Sequence, residues 1–115
     1  MGDCVLLGVT GGIAAYKIPN LVRLITSAKM NVNVVMTQNA TNFVTPLTLA
    51  TLSGSNVSIA MWDHPDRPSV EHIELADKAD VAVIAPATAN FIGKMANGIA
   101  DDLLTTITLA LKCPM

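Results

Sequence analysis

The sequence predicts an α/β domain with an open parallel sheet and helices on both of its faces. Three mostly apolar runs, at 5–9, 32–36 and 81–85, of which the second contains Asn33, are each followed by a small or polar turn and then by apolar residues at mostly helical spacing. A continuous apolar run is typical of a strand buried on both faces, and alternation of such strands with helices is typical of βαβ units. We therefore expect a three-layer arrangement of the flavodoxin-like or Rossmann-like kind.

Length and composition favour one domain that associates with copies of itself. A chain of 115 residues supports a single core, so 1–115 is interpreted as one domain. Hydrophobic residues make up 51% of it and charged residues only 14%, which predicts an apolar surface buried between subunits. The expectation is a homo-oligomer.

The same composition argues against several other classes of protein. No stretch of about 18 residues is apolar throughout, so membrane insertion is not expected. The amino terminus lacks the basic region of a secretory signal, which makes the cytoplasm the default location. A net charge of −2 without a Lys/Arg cluster predicts no nucleic-acid partner. The two cysteines form no Cys-x-x-Cys pair, so no metal site is predicted.

The first βα unit is a strand at 5–9, the tight turn Thr10-Gly11-Gly12 and a helix over 13–25. Proline lacks an amide donor, so Pro19 either kinks this helix or restarts its first turn. The second unit is a strand at 32–36, a polar turn at 37–41, and a helix from Pro46 through Leu52 that Gly54 ends.

The third unit follows a short strand within 55–61 and a Pro-rich loop at 63–69, where His64 is expected to be solvated and the chain mobile. A short helix or turn over 71–76 leads to the strand at 81–85 and a helix capped at Asn97-Gly98. Asp101-Asp102 suit the amino terminus of a last helix over 101–112. A further strand would begin at 113–115, so the carboxyl-terminal part of the domain is expected to be missing.

Polar residues follow each strand, at the edge where parallel sheets bind ligands. Thr10-Gly11-Gly12 matches neither Gly-x-Gly-x-x-Gly nor a Walker loop, and Thr37 stands where a dinucleotide site needs a carboxylate for the ribose. A hydroxyl can donate to a phosphate, so the pattern favours a mononucleotide. Two alternatives stay open: a turn with no ligand, and a nicotinamide oxidoreductase.

Six motifs occur in an order that resembles one known family over nearly the whole chain. They are VTGGIAAYK (9–17), MT (36–37), NFVTP (42–46), HIEL (72–75), APATAN (85–90) and ANGIADDLL (96–104). Together they are similar to the homo-oligomeric flavin-containing cysteine decarboxylases, and most to the branch that acts on phosphopantothenoylcysteine in coenzyme A biosynthesis.

The resemblance implies FMN as cofactor and a homotrimer, or a multiple of trimers, with the flavin near a subunit boundary. It implies that His72 is catalytic and that the flavin ring lies near Phe43. The phosphate is implied near the first two turns and the third loop adds contacts; the residues concerned are Thr10, Gly11, Gly12, Ile13, Thr37, Pro86, Ala87, Thr88, Ala89 and Asn90.

The reaction implied by the resemblance starts with hydride transfer from the substrate's cysteine moiety to the flavin, which leaves a thioaldehyde. Carbon dioxide then departs because the remaining electron pair delocalises onto sulfur as an enethiolate, and the reduced flavin returns its electrons. The thiol must lose a proton during the first step, and a free imidazole, with a pKa of about 6.5, is suited to accept it. The implied product is phosphopantetheine.

Alternatives remain within and beside this family. Without the resemblance, His72 and Phe43 are interpreted as ordinary packing residues. Peptidyl-cysteine decarboxylases of lantibiotic maturation share the His72 and Ala-Asn-Gly motifs, and a non-catalytic FMN-binding subunit would share the turns. The family's Pro-x-Met-Asn motif and flap cysteine would lie beyond Met115, and the family often has Asn where Asp101 or Asp102 stands.

Overall fold

The computed structural model describes residues 3–60 and 71–115, and its centre is a parallel sheet. The strands are β1 (Cys4–Val9), β2 (Asn31–Met36) and β3 (Val81–Ile84), in the spatial order β2-β1-β3. The register pairs Leu7 with Val34 on one side and with Val83 on the other. The predicted open parallel sheet is confirmed, with β1 in the middle.

Five α-helices and two 3-10 helices connect the strands in the described part of the chain. The α-helices are α1 (Ile18–Ser27), α2 (Pro46–Ser53), α3 (Glu71–Lys78), α4 (Ala89–Ala96) and α5 (Leu103–Ala110). The 3-10 helices, Ile13–Lys17 and Asn39–Asn42, directly follow the turns after β1 and β2. Each strand therefore leads through a short loop into helical backbone, as the sequence predicts.

Successive side chains of β1 pack alternately into two hydrophobic cores, one on each face of the sheet. Val5, Leu7 and Val9 pack with buried residues of α1 and α2, whereas Leu6 packs on the opposite face with Ala76 of α3 and with residues of α4 and α5. Because successive side chains of a strand point to opposite faces, an all-apolar strand requires cover on both. This confirms the predicted three-layer α/β architecture with helices on both faces.

Two predicted elements that precede α3 differ from those observed. The helix expected over 13–25 starts as the 3-10 helix Ile13–Lys17 and becomes α-helical at Ile18, with Pro19 in the first turn of α1, where its missing amide costs no hydrogen bond. The strand expected within 55–61 is reduced to one bridge between Ser58 and Val35. Met61, His64 and the loop at 63–69 lie outside the described residues.

Capping side chains and glycines define the helix ends, and those at Gly54, Gly98 and Asp102 agree with the sequence prediction. Thr45 and Thr88 accept hydrogen bonds from backbone amides at the starts of α2 and α4. Asp102 forms a reciprocal capping box with Thr105, so the last helix starts at Leu103 and is shorter than 101–112. Gly54 and Gly98, which follow α2 and α4, have φ of 72° and 69°, a backbone conformation that favours glycine.

Candidate functional site

Thr10 joins the loops that leave β1 and β3. Its backbone amide donates to the carbonyl oxygen of Pro86 over 3.3 Å, and its hydroxyl donates to the same oxygen. The Thr88 amide in turn donates to the Thr10 hydroxyl over 3.0 Å. Thr10 is buried, so these bonds are shielded from water and hold the two loops at a fixed separation.

A polar cavity of about 290 Å³ opens at this carboxyl edge of the sheet. Its walls come from the loops after all three strands and from the start of α4, as expected for an open parallel sheet. The lining residues are Thr10, Gly11, Thr37, Gln38, Asn39, Thr88, Asn90, Phe91, Lys94 and Asp102. The structure thus brings Thr10, Gly11, Thr37, Thr88 and Asn90 of the predicted site together.

Gly11 allows the loops after β1 and β2 to approach each other. A Cβ atom at this position would lie 2.5 Å from Nδ2 of Asn39 and 2.8 Å from its Cβ and Cγ. Asn39 Oδ1 also accepts a hydrogen bond from Asn42 Nδ2 over 2.9 Å. The side chain that closes this wall is therefore held in place, and only glycine fits opposite it.

The donors around the cavity suit a phosphate group. In the described part of the chain, no acceptor takes the backbone amide of Gly11, which is in the cavity wall, or that of Ile13, which is not among the lining residues and begins the continuous helical run 13–27. The Thr37 hydroxyl accepts from the Ala40 amide over 3.3 Å and keeps its own proton to donate. Free amides at the amino end of helical backbone, with an adjacent hydroxyl, are a common way to bind phosphate.

The cavity also contains two charged side chains that the sequence analysis did not assign to it. Lys94 lies one helical turn after Asn90, and its Nζ is 2.9 Å from Oδ1 of Asp101. That hydrogen bond to Asp101 is the main cause that raises the pKa of Lys94, so the lysine is cationic. Asp102 caps α5. The i to i+4 spacing from Asn90 to Lys94 was a signal for this placement.

Other predicted contacts lie outside the polar cavity. Ile13 is 75% exposed and Phe43 41% exposed, so both present apolar surface to solvent. A Cβ at Gly12 would lie 3.5 Å from Pro86, which follows Ala85 through a cis peptide bond. Ala89 begins α4.

Ala87 lines a second, apolar cavity of about 710 Å³ along β3 and α4. Next to it, the Ala82 amide donates to the Pro114 carbonyl over 2.9 Å, so the last residues lie against the outer edge of β3. Ala87 therefore belongs to the side of the β3 loop that faces away from the polar cavity's donors.

His72 lies in the first turn of α3 and does not line the polar cavity. Glu71, the residue before His72, accepts a hydrogen bond at Oε1 from the Ser58 hydroxyl. The backbone amide of Ser58 in turn donates a hydrogen bond to the Val34 carbonyl of β2 over 3.1 Å. His72 is half-buried. The helix that carries the histidine is therefore held beside β2. Within a single chain, however, His72 is not in the wall of the cavity that contains the phosphate donors.

Thr10→Val is expected to lower the free energy of unfolding by about 1–3 kcal/mol, because it leaves the partly buried Thr88 amide without its acceptor. Urea denaturation measures the change. Thr10→Ser keeps the hydroxyl and should recover most of the loss, and Thr51→Val, on an exposed helix face, should cost less than about 0.5 kcal/mol. Equal midpoints for Thr10→Val and the original protein would contradict the assigned role of this hydroxyl.

The fold and the cavity define the class of the protein: an α/β domain with a polar cavity at the carboxyl edge of its parallel sheet, whose donors suit a phosphate group. Among residues 3–60 and 71–115, no cluster of three His, Cys, Asp or Glu side chains could hold a metal ion. None of the helices in these residues is long and apolar enough to cross a membrane. The chain belongs to the Flavoprotein family, whose model matches residues 2–115.

The chain is similar to a curated relative, the coenzyme A biosynthesis bifunctional protein CoaBC of Haemophilus influenzae. The two are 48% identical over 114 residues, which cover 99% of this chain and 28% of that protein. The chain therefore spans just over a quarter of the length of this relative. The homology confirms the resemblance found in the sequence.

The solved structures that this chain resembles include decarboxylases. The FMN-dependent cysteine decarboxylase SpaF matches with a TM-score of 0.86 at 34% identity, over 97% of this chain and 65% of that one. A PPC decarboxylase mutant complexed with pantothenoylaminoethenethiol matches with a TM-score of 0.78 at 35% identity, over 97% and 62%. The predicted flavodoxin-like fold is confirmed by these matches.

Proposed function

We propose that this chain binds FMN and forms the flavin-binding part of an enzyme that decarboxylates phosphopantothenoylcysteine to phosphopantetheine in coenzyme A biosynthesis. The observation that carries the proposal is the polar cavity, which offers phosphate donors in a chain of the Flavoprotein family. Thr37 and Gln38 occupy the place where a dinucleotide site holds a carboxylate, which disfavours a nicotinamide cofactor. The relationship to CoaBC favours the coenzyme A precursor as substrate.

The residues present fit the phosphate end of FMN. The free amides of Gly11 and Ile13 and the hydroxyl of Thr37 would donate to the phosphate, and Asn90 offers an amide side chain in the same cavity. Phe43 is apolar and partly exposed, which suits contact with the flavin ring. Thr10, whose hydroxyl is already committed to Pro86 and Thr88, would act by holding the loops.

When bound, FMN supplies a reversible acceptor for the hydride of the cysteine moiety, which explains a flavin in a reaction without net redox change. The role proposed for His72 is to accept the proton of the substrate thiol. The hydrogen bond between Ser58 and Glu71 would hold the start of α3, and with it the backbone of His72, beside β2. Once the imidazole has removed the proton from the sulfur, the carbon–sulfur double bond can form. This double bond later takes up the electron pair that is left when carbon dioxide departs.

A peptidyl-cysteine decarboxylase is the second candidate, because the chain also matches the peptidyl-cysteine decarboxylase EpiD with a TM-score of 0.78 at 26% identity. A non-catalytic FMN-binding subunit is the third. All three share the phosphate site. The two enzymes differ in their substrates, and the non-catalytic subunit has none.

The test is an FMN titration of the purified natural protein followed by an assay of carbon dioxide release. The proposal expects yellow protein with bound FMN, and carbon dioxide from phosphopantothenoylcysteine but not from a peptide ending in cysteine. The matched control is the serine analogue of the substrate, which has no thiol to oxidise. Colourless protein that takes up no FMN contradicts the proposal; bound FMN with no turnover selects the non-catalytic subunit.

The proposed assembly is a homotrimer, or a multiple of trimers, in the cytoplasm, with the flavin near a subunit boundary. Large apolar side chains exposed near the carboxyl edge of the sheet support this: Ile13, Tyr16, Phe43, Leu47 and Ile92. Because His72 does not line the polar cavity of its own chain, association would also allow side chains of a second subunit to complete that cavity. Sedimentation should show three or more copies; a monodisperse monomer would contradict the proposal. The assignment of 1–115 to a single flavin-binding domain, incomplete at its carboxyl end, stays a prediction.

A further inference from the structure

The polar cavity has little positive charge for a ligand that carries a phosphate monoester. Such a group bears about −1.5 to −2 charges at neutral pH. The lining contains one cation, Lys94, and one carboxylate, Asp102, among residues that are otherwise neutral. Neutral donors can form hydrogen bonds to the oxygens of the phosphate, but only Lys94 among the lining residues can neutralise its negative charge.

Asp102 cannot leave the cavity wall to make room for an anion. Its Oδ1 accepts from the Thr105 amide over 2.8 Å and from the Thr105 hydroxyl over 2.6 Å. The start of α5 thus fixes this carboxylate near the cavity. An incoming phosphate would meet its negative charge, which increases the need for a nearby cation.

Lys94 is placed to provide that cation. It follows Asn90 by four residues, so the two side chains lie on the same face of α4 and line the same cavity. Its partner Asp101 is 57% exposed, while the Lys94 side chain is 24% exposed. An ion pair to a hydrated carboxylate is weak, so the ammonium group can share its hydrogens with a phosphate or turn to it.

We propose that Lys94 is the phosphate-recognising cation of this site and that it makes the protein prefer FMN to riboflavin. The inference rests on the proposed binding of FMN. The amides of Gly11 and Ile13 and the Thr37 hydroxyl are neutral donors, whereas Lys94 carries a full positive charge. Its Coulomb attraction to the phosphate adds to the hydrogen bond that it donates.

The test measures dissociation constants for FMN and riboflavin by flavin fluorescence on the purified natural protein. Lys94→Gln keeps a polar side chain of similar reach without the charge. It is expected to weaken FMN binding about 10- to 100-fold and to leave riboflavin binding within about twofold, since riboflavin has no phosphate. Raising the salt concentration should weaken FMN binding more in the original protein than in the variant.

Two further variants complete the design. Lys94→Arg keeps the charge and should retain a preference for FMN. Lys112→Gln removes another ion-paired lysine, 3.3 Å from Asp77 and 81% exposed, and should change neither constant. Riboflavin binding by Lys94→Gln also serves as the check that the variant is folded.

Three outcomes overturn the inference. Unchanged FMN affinity in Lys94→Gln shows that the charge is not used, and an equal loss for FMN and riboflavin shows that Lys94 only supports the structure. An original protein that binds neither flavin overturns the proposed function as well. The first two outcomes leave FMN binding intact in the original protein, so the two failures are distinguishable.

Discussion

Replacement of His72 by asparagine is expected to slow carbon dioxide release by about 10²- to 10⁴-fold, the usual contribution of a positioned acid or base. Asparagine retains a polar side chain but cannot accept the thiol proton. FMN affinity should stay within about twofold of the original, because His72 does not line the cavity that holds the phosphate donors. Initial rates with phosphopantothenoylcysteine and a parallel FMN titration measure both effects.

The matched control is the other histidine of the chain. His64 lies in the Pro-rich loop of the sequence, outside the described residues, and has no assigned role. His64→Asn is expected to retain full activity. Full activity in His72→Asn would remove the proposed role, and loss of FMN together with activity would show that α3 supports the flavin site instead.

Gly11→Ala is expected to weaken FMN binding by at least about 10-fold and to lower the free energy of unfolding by about 1–3 kcal/mol. The added methyl group would lie 2.5 Å from Nδ2 of Asn39 and 2.8 Å from its Cβ. Because the contact includes the Cβ, rotation of the Asn39 side chain cannot relieve it. The turn after β2 must move, and Thr37 moves with it.

Gly93→Ala is the matched control for this substitution. Gly93 lies inside α4, and an added Cβ would meet nothing within 4 Å. Alanine should stabilise the helix by about 0.5–1 kcal/mol without a change in FMN affinity. Fluorescence titration and urea denaturation of both variants measure these effects. If both variants bind FMN equally well, close approach at Gly11 is not required for the cofactor.

Much of the candidate site was predictable because it follows directly from strands. Thr10, Thr37 and Thr88 come after apolar runs, and parallel strands place their carboxyl ends together. The prediction failed to include Lys94, Asn39 and Asp102, which reach the cavity from a helix, a 3-10 helix and a helix cap. Their placement depends on how α4 and α5 pack, which a local pattern does not contain.

The sequence alone determined the three strands and the helices that follow them, the two buried faces of β1, the helix ends at Gly54, Gly98 and Asp102, and the family. Apolar periodicity and turn chemistry are local properties, since each depends on residues a few positions apart. Only the tertiary structure decided that the Thr10 hydroxyl is used to join two loops, that Lys94 enters the polar cavity, and that His72 does not line it. These facts depend on contacts across 76 or 78 residues of sequence and on the packing of helices against the sheet, where distance along the chain says nothing about distance in space.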